Sequence, residues 1–273
     1  MKANILIFGA GFIGKRLQQE TGWDISRKKI ISFNDAQSEI KKYRPKIIIN
    51  CIGYTGEVNI SGCENRVDKT LTANVFIPLV LAEAAIRNRI KLIHISTGCI
   101  YNFDYKKDKP IKEEKVPDFF DLCYSRSKIY SEMALGVLCN RYGVLIARIR
   151  VPLDDRPHPR NLLTKLIKYR RVIELSNSVT YIPDFIAALK HLIKKDARGI
   201  YNIVNRGGLR YSELMDTYKK YVPDFEYKKI KFKQLNQART NLFLSTRKLE
   251  NSGFKARNIR EVLDLCVKNY LKY

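Results

Sequence analysis

The chain has 273 residues, 45% of them hydrophobic and 29% charged, a size and composition that suit a folded globular protein with a sizeable core. The six cysteines form no CxxC pair and do not gather with the three histidines, which argues against a zinc centre or a disulfide framework. The net charge of +24 is unusual, but the basic residues stand in ones and twos rather than in a tail, the pattern of a solvated surface and not of specific nucleic-acid binding. No uninterrupted apolar run approaches the roughly 18 residues that span a bilayer, so the expectation is a cytoplasmic, unprocessed protein without a membrane partner.

Residues 4–8, NILIF, form a strand signal that runs into Gly9-Ala10-Gly11-Phe12-Ile13-Gly14 and then a helical pattern. Strand, glycine turn and helix N-terminus together make a pyrophosphate site, since glycines let the backbone approach and the first N–H groups of the helix face the anion. Gly9, Gly11, Phe12, Ile13 and Gly14 are therefore cofactor candidates. A second strand should end within Trp23–Lys28, beside the adenosine ribose. An acid there would hold the 2'-hydroxyl of NAD, whereas Ser26 and Arg27, with Lys28, suit a 2'-phosphate. NADPH is the expected cofactor, with NADH as the alternative.

Asn34 or Asp35 can cap a helix that runs to Tyr43 and stops at Pro45. KIIINCIG is then a buried parallel strand, followed by a polar loop from Gly53 to Gly62 and a long amphipathic helix from about Glu64 to Asn88. Asn74 lies in that helix, and Pro78 is expected to kink it. The strand LIHIS ends on Ser96-Thr97-Gly98-Cys99, a further helix opens near Tyr124, and VLIARIR closes the βα alternation. Repeated βα units predict an α/β fold: a Rossmann-type, doubly wound parallel sheet with a small C-terminal substrate-binding region. The expected division is a NADP-binding domain over 1–150 and a mainly substrate-binding region over 151–273, with segments near 181–204 returning to the sheet.

Tyr-x-x-x-Lys occurs at Tyr105/Lys109, Tyr124/Lys128 and Tyr227/Lys231. Only the Tyr124 pair opens a plausible helix and follows a strand that ends in Ser-Thr. Helical i, i+4 spacing puts the Lys128 ammonium on the phenol's face, where its charge lowers the tyrosine pKa from about 10. Thr97 can hydrogen-bond the same carbonyl oxygen that Tyr124 protonates. This is the constellation of an extended short-chain dehydrogenase/reductase.

The phrases CIGYTGEVN, STGCIY, YSRSK, GIYNIVN and the long segment from Arg148 to Thr180 give the chain a more specific likeness. It resembles the nucleotide-rhamnose synthase/epimerase-reductase family, relatives of dTDP-4-dehydrorhamnose reductase and GDP-fucose synthase. Where the simple reductases read Ser-Thr-Asp-Tyr, this chain has Ser96-Thr97-Gly98-Cys99, the pattern of the epimerising relatives. Its glycine turn is one residue shorter than the family's usual GxxGxxG.

The resemblance implies a UDP- or dTDP-linked 4-keto-6-deoxyglucose as substrate, with UDP favoured. It also implies a bifunctional 3,5-epimerase and NADPH-dependent 4-reductase with catalytic residues Thr97, Cys99, Tyr124, Lys128 and Lys165. Cys51, Gly53 and Asn74 join the cofactor set, and Thr55, Gly56 and Asn59 the substrate set. Arg160, Asn161 and Arg239 suit the substrate's diphosphate or base. The alternatives are a 4-reductase alone and a non-catalytic cofactor-binding regulatory subunit. No metal is expected, a homodimer is compatible with the class, and a separate 4,6-dehydratase is expected to supply the substrate.

Overall fold

The computed structural model describes residues 4–57, 59–231, 234 and 240–273. The apolar run Ile5–Phe8 forms β1, buried at every position as expected of a strand covered on both faces. It is followed by α1 (Phe12–Thr21), β2 (Asp24–Ser26), α2 (Phe33–Tyr43) and β3 (Ile47–Asn50). The cap of α2 is Ser32, not Asn34 or Asp35. The Ser32 hydroxyl oxygen accepts the Asp35 N–H while the Asp35 carboxylate accepts the Ser32 N–H, a reciprocal pair that satisfies two helix-end donors at once.

A 3-10 turn at Ile60–Cys63 delays the long helix, which starts at Val67 rather than near Glu64. It runs as α3 (Val67–Leu71), a π turn (Thr72–Phe76) and α4 (Ile77–Arg87). Pro78 has no N–H, and its ring crowds the carbonyl of residue 74. The chain accommodates this with the π turn, in which the Ile77 N–H reaches the Thr72 carbonyl. At 21 residues and a mean hydropathy of 1.4 in its most apolar window, Val67–Arg87 is long and apolar enough to cross a membrane by length and composition. Here Ile77, Leu81, Ala82, Ala84 and Ala85 instead enter a core with Leu6, Phe8, Ile48 and Leu92 of the sheet.

The chain continues through β4 (Lys91–Thr97), α5 (Cys123–Gly136), α6 (Cys139–Tyr142) and β5 (Val144–Ile149). Next come β6 (Pro152–Leu153), α7 (Leu162–Tyr169), β7 (Arg171–Ile173), β8 (Thr180–Tyr181), α8 (Ile182–Lys194) and β9 (Gly199–Asn202). The final elements are α9 (Tyr211–Lys219), β10 (Lys228–Ile230), α10 (Arg247–Asn251) and α11 (Leu263–Tyr270). The main sheet has six strands in the order β2-β1-β3-β4-β5-β9, the α/β arrangement expected from the βα alternation. β1 pairs in parallel with both β2 and β3, so the chain reverses its direction of travel across the sheet between β1 and β3. A ligand crevice forms outside the carboxyl ends of strands at such a point.

The chain forms two compact units. The first comprises Met1–Ile100, Pro117–Arg148 and Asp196–Tyr201; the second comprises Tyr101–Val116, Ile149–Lys195 and Asn202–Tyr273. The second unit has its own core, in which Leu163 and Leu166 of α7 meet Leu214 and Met215 of α9 and Cys266 and Val267 of α11.

Removing the α2 cap with Ser32→Ala should lower stability by about 1 kcal/mol, read as an earlier midpoint in denaturant with an unchanged slope.

Candidate active site

The glycine turn is set by two close approaches. A Cβ on Gly9, whose φ is +103°, would lie 2.6 Å from the Ile52 nitrogen, and one on Gly14 would lie 1.9 Å from the Gly9 carbonyl oxygen. Gly11 differs: it stands at the N-cap of α1 without a side-chain cap, and a Cβ there would meet nothing within 4 Å. Gly9 and Gly14 thus hold the turn, and Gly11 leaves room above the helix start, with half-buried Phe12 and Ile13 opening the first turn. That cradle fits an anionic diphosphate.

At the end of β2 the expected pair separates. Ser26 is buried and its hydroxyl donates to Glu39 at 2.6 Å, so it is withdrawn from any 2'-phosphate. Arg27 is exposed, while Lys28 is held by Ser38 at 2.8 Å and Asp35 at 3.1 Å. Arg27 is the cation left to meet such a phosphate.

Beyond β3, burial pushes the Cys51 thiol up to about 12, against the pull of the Lys128 charge, and it is therefore neutral. Asn74, assigned to the cofactor from sequence, is fully buried with its amide engaged by the protein. Its Oδ1 accepts the Tyr54 N–H at 2.8 Å, and its Nδ2 donates to the Tyr54 carbonyl at 2.9 Å and to Ser127 Oγ at 3.0 Å. It pins the Gly53–Tyr54 backbone to α5 instead of reaching out, and a Cβ on exposed Gly53 would lie 3.3 Å from its Oδ1. Tyr54 packs against Cys63, Cys123 and Tyr124, and its buried hydroxyl has no protein partner, a polar atom suited to a ligand. Thr55 is half-buried; Gly56 has a φ of +71° and no room for a side chain beside the Asn59 carbonyl. Asn59 caps the 3-10 turn by accepting the Ser61 N–H at 3.0 Å.

The reactive groups gather where β4 ends and α5 begins. Thr97 Oγ1 accepts the Cys99 N–H at 3.1 Å, which leaves the hydroxyl proton free of that bond and available to a carbonyl oxygen. Ser125 donates to the Cys99 carbonyl at 2.7 Å, and partly buried Cys99 packs against the cluster of Cys63, Cys123 and Tyr124. The helix has no cap of its own, since Leu122 precedes it; the Glu64 carboxylate accepts the Cys123 N–H at 2.5 Å in its place. Tyr124 follows at once and is 8% exposed.

Of the other Tyr/Lys pairs, Tyr105 bonds the Ser176 carbonyl in a turn region and Tyr227 bonds Asp216 just before β10, so neither opens a helix. Lys128, one turn after Tyr124, is buried, with Nζ 3.0 Å from the Ile95 carbonyl and 3.2 Å from His94 Nε2. Burial pushes this lysine down to about 8, while the Glu132 charge pulls the other way.

In the second unit Asn161 is corrected from a substrate contact to a structural cap. It is fully buried, accepts the Leu163 and Asp154 N–H groups, and donates to the carbonyls of Asp154 and Arg156. Lys165 stands one turn along α7 and is half-buried, as is Arg160. Arg239 lies outside the described residues. Tyr54, Glu64, Asn50 and His94 also line this region, and none of them is among the candidate residues read from the sequence. A histidine inside the apolar strand LIHIS was a signal for the last; nothing in the sequence marks Glu64 as the remote cap. Among the described residues no group of three His, Cys, Asp or Glu side chains is placed to hold a metal.

A parallel sheet with a glycine turn at its first crossover and a Tyr/Lys pair opening α5 defines a dinucleotide-dependent dehydrogenase/reductase. The chain belongs to the family described as RmlD substrate binding domain, matched over residues 3–271. It is similar to the bifunctional dTDP-4-dehydrorhamnose 3,5-epimerase/dTDP-4-dehydrorhamnose reductase of Arabidopsis thaliana, 28% identical over 95% of this chain and 91% of that one. It is also 28% identical, over 94% of its own length, to an Arabidopsis trifunctional UDP-glucose 4,6-dehydratase/UDP-4-keto-6-deoxy-D-glucose 3,5-epimerase/UDP-4-keto-L-rhamnose-reductase, of which it spans only 41%. In fold it matches the L780 UDP-rhamnose synthase of Acanthamoeba polyphaga mimivirus with a TM-score of 0.89 at 24% identity, over 97% of this chain and 98% of that one. The Bacillus anthracis dTDP-4-dehydrorhamnose reductase, solved in complex with NADP, matches with a TM-score of 0.83 at 23% identity, over 96% and 98% of the two chains.

Two substitutions separate the roles in the glycine turn. Gly14→Ala should lose several kcal/mol of stability, of the order seen for a buried steric clash, whereas Gly11→Ala should fold normally and weaken NADPH binding about tenfold or more by titration. Lys128 gives a pH signature. Its folded value lies below its unfolded one, so the buried ammonium penalises the fold up to about pH 8, and the penalty fades as pH rises towards 10.5. Lys128→Met should therefore be more stable than the parent at pH 7 by on the order of 2 kcal/mol, with the gap closing by pH 10 in denaturant titrations.

Proposed function

We propose that the protein converts UDP-4-keto-6-deoxy-D-glucose to UDP-L-rhamnose, epimerising C3 and C5 and then reducing the C4 ketone with NADPH. The observation that carries this reading is the grouping of Thr97, Cys99 and Tyr124 around the end of β4, with Lys128 on the same helix as the phenol. It is an enzyme of the NADPH-dependent short-chain dehydrogenase/reductase type, with a 4-reductase role. The bound cofactor supplies hydride to C4; Gly9, Gly11, Gly14 and Arg27 would hold it by its phosphates.

The residues divide the work by charge. Tyr124 donates its phenolic proton to the C4 oxygen during reduction, and Thr97 donates a hydrogen bond to that same oxygen as negative charge develops on it. In its ammonium form Lys128 stabilises the phenolate that remains. For epimerisation, the C3 and C5 protons flank the ketone, so their removal leaves an enolate whose oxygen is held by the same two hydroxyls. Cys99 supplies a thiol that can give up or take such a proton, and Lys165 is the candidate second acid–base group. Two curated relatives whose names carry both the epimerase and the reductase support the pairing, and the trifunctional name supports UDP as carrier. A 4,6-dehydration must supply the substrate, an activity that the trifunctional relative names within its own chain.

The test is a proton NMR time course in deuterated water with UDP-4-keto-6-deoxyglucose, first without and then with NADPH. Deuterium should enter C3 and C5 before cofactor is added, UDP-rhamnose should form afterwards, and Cys99→Ala should lose exchange at one or both positions while still reducing a pre-epimerised ketone. Reduction of the pre-epimerised sugar without any exchange would leave the 4-reductase alone.

A further inference from the structure

Two residues that no step above uses lie in line with Lys128. Asn50, at the end of β3, and His94, in β4, are both fully buried. Asn50 Oδ1 accepts the Ile52 N–H at 2.9 Å, which fixes the amide's orientation and turns Nδ2 towards His94 Nδ1 at 3.1 Å. An amide nitrogen only donates, so His94 Nδ1 must carry a lone pair. The proton of the neutral ring therefore sits on Nε2, 3.2 Å from Lys128 Nζ. An imidazolium would set Nδ1–H against the Asn50 amide, and burial together with the Lys128 charge pushes the ring's protonation well below its ordinary range. An Nε2–H meets an ammonium donor to donor, but it donates to the lone pair of a neutral amine, which can itself donate to the Ile95 carbonyl at 3.0 Å.

We propose that Asn50 and His94 form a fixed-tautomer relay that presents an N–H to Lys128, opposes its ammonium form and so sets the pH at which the Tyr124/Lys128 pair carries its charge. Both are positioning residues that act through Lys128, and only the catalytic consequence rests on the reductase reading. The other ionisable groups acting on Lys128 are Cys51, beyond β3, and Glu132, on α5. Cys51 is neutral, and Glu132 is already engaged by Arg148 at 2.9 Å and Ser96 at 2.6 Å. The Asn50–His94 contact is thus the directional one. Burial already lowers the Lys128 value, and the His94 N–H adds to that effect, so the charge supporting the Tyr124 phenolate is lost well before pH 10, which sets the alkaline limit of turnover.

Asn50→Asp tests this with little change of shape. One carboxylate oxygen still accepts the Ile52 N–H, while the other accepts a proton from Nδ1, so the Nε2 lone pair turns to Lys128 and favours the ammonium. In the parent protein, nitrogen NMR of the histidine rings should show His94 with its proton on Nε2 from pH 6 to 8. In Asn50→Asp the proton should move to Nδ1, the Lys128 Nζ titration should rise by about one pH unit or more, and the alkaline limb of kcat/KM for NADPH-dependent reduction should follow it. A parent ring protonated on Nδ1 or on both nitrogens would overturn the proposal. So would a lysine shift without a tautomer change, which is a bare charge effect, or a tautomer change that leaves Lys128 within about 0.3 unit of the parent. The ring and lysine signals are read without turnover, so they decide the relay even in a preparation that reduces no sugar, an outcome that would count against the reductase reading alone.

Discussion

The fastening of α5 to the sheet is the constraint on which the site depends. Two buried side chains of the helix do it through three contacts: Lys128 donates to the Ile95 carbonyl of β4, Glu132 accepts from Ser96 of β4, and the same carboxylate pairs with Arg148 of β5. Charges buried this way gain little net stability over a well-packed apolar interface, but breaking one partner leaves an uncompensated charge inside the protein. The helix can therefore sit in one register on the sheet, and that register places Tyr124 beside the end of β4. The Glu64 carboxylate completes the placement by taking the N–H of the residue just before the tyrosine.

A second group of contacts performs the same task for the cofactor side. Gly9 brings the first crossover so close to the exit of β3 that no Cβ fits, and Gly14 lets α1 close onto the Gly9 carbonyl, while Asn74 grips both backbone groups of Tyr54 and ties that loop to Ser127 of α5. The π turn that Pro78 imposes contains Asn74, so a backbone accommodation and the loop clamp share one segment. What is left open after these contacts are made is informative: the space above Gly11, the exposed Arg27 and the unpartnered Tyr54 hydroxyl. Each is a feature that a bound anion or hydroxyl-bearing ligand would complete.

Much of the proposed site was legible in the order of residues. The strand–glycine–helix opening, the Ser-Thr strand end and the Tyr124/Lys128 spacing are local patterns, and local backbone chemistry gives them nearly the same meaning in any surroundings. The outer face of α5 would have misled a reading by amphipathicity, because the helix buries Ser127, Lys128, Ser131 and Glu132 while exposing Tyr130 and Met133. Ser26 and Asn161 look available in the sequence, yet each is engaged by protein groups, Ser26 by Glu39 and Asn161 by four backbone partners. Side-chain type shows what a residue can bond; it does not show which partner is nearest.

The sequence by itself determined the fold class, the position of the glycine turn and the pairing of Tyr124 with Lys128 along one helix, because these follow from periodicity and spacing along one chain. Only the tertiary structure decided which polar groups remain available and which proton each holds. That Asn50 faces His94, that His94 faces Lys128, and that Glu64 caps a helix opening 59 residues later are matters of contact between distant segments. Hydrogen-bond direction and burial act through those contacts, and so the charge state of the site is a property of the folded chain.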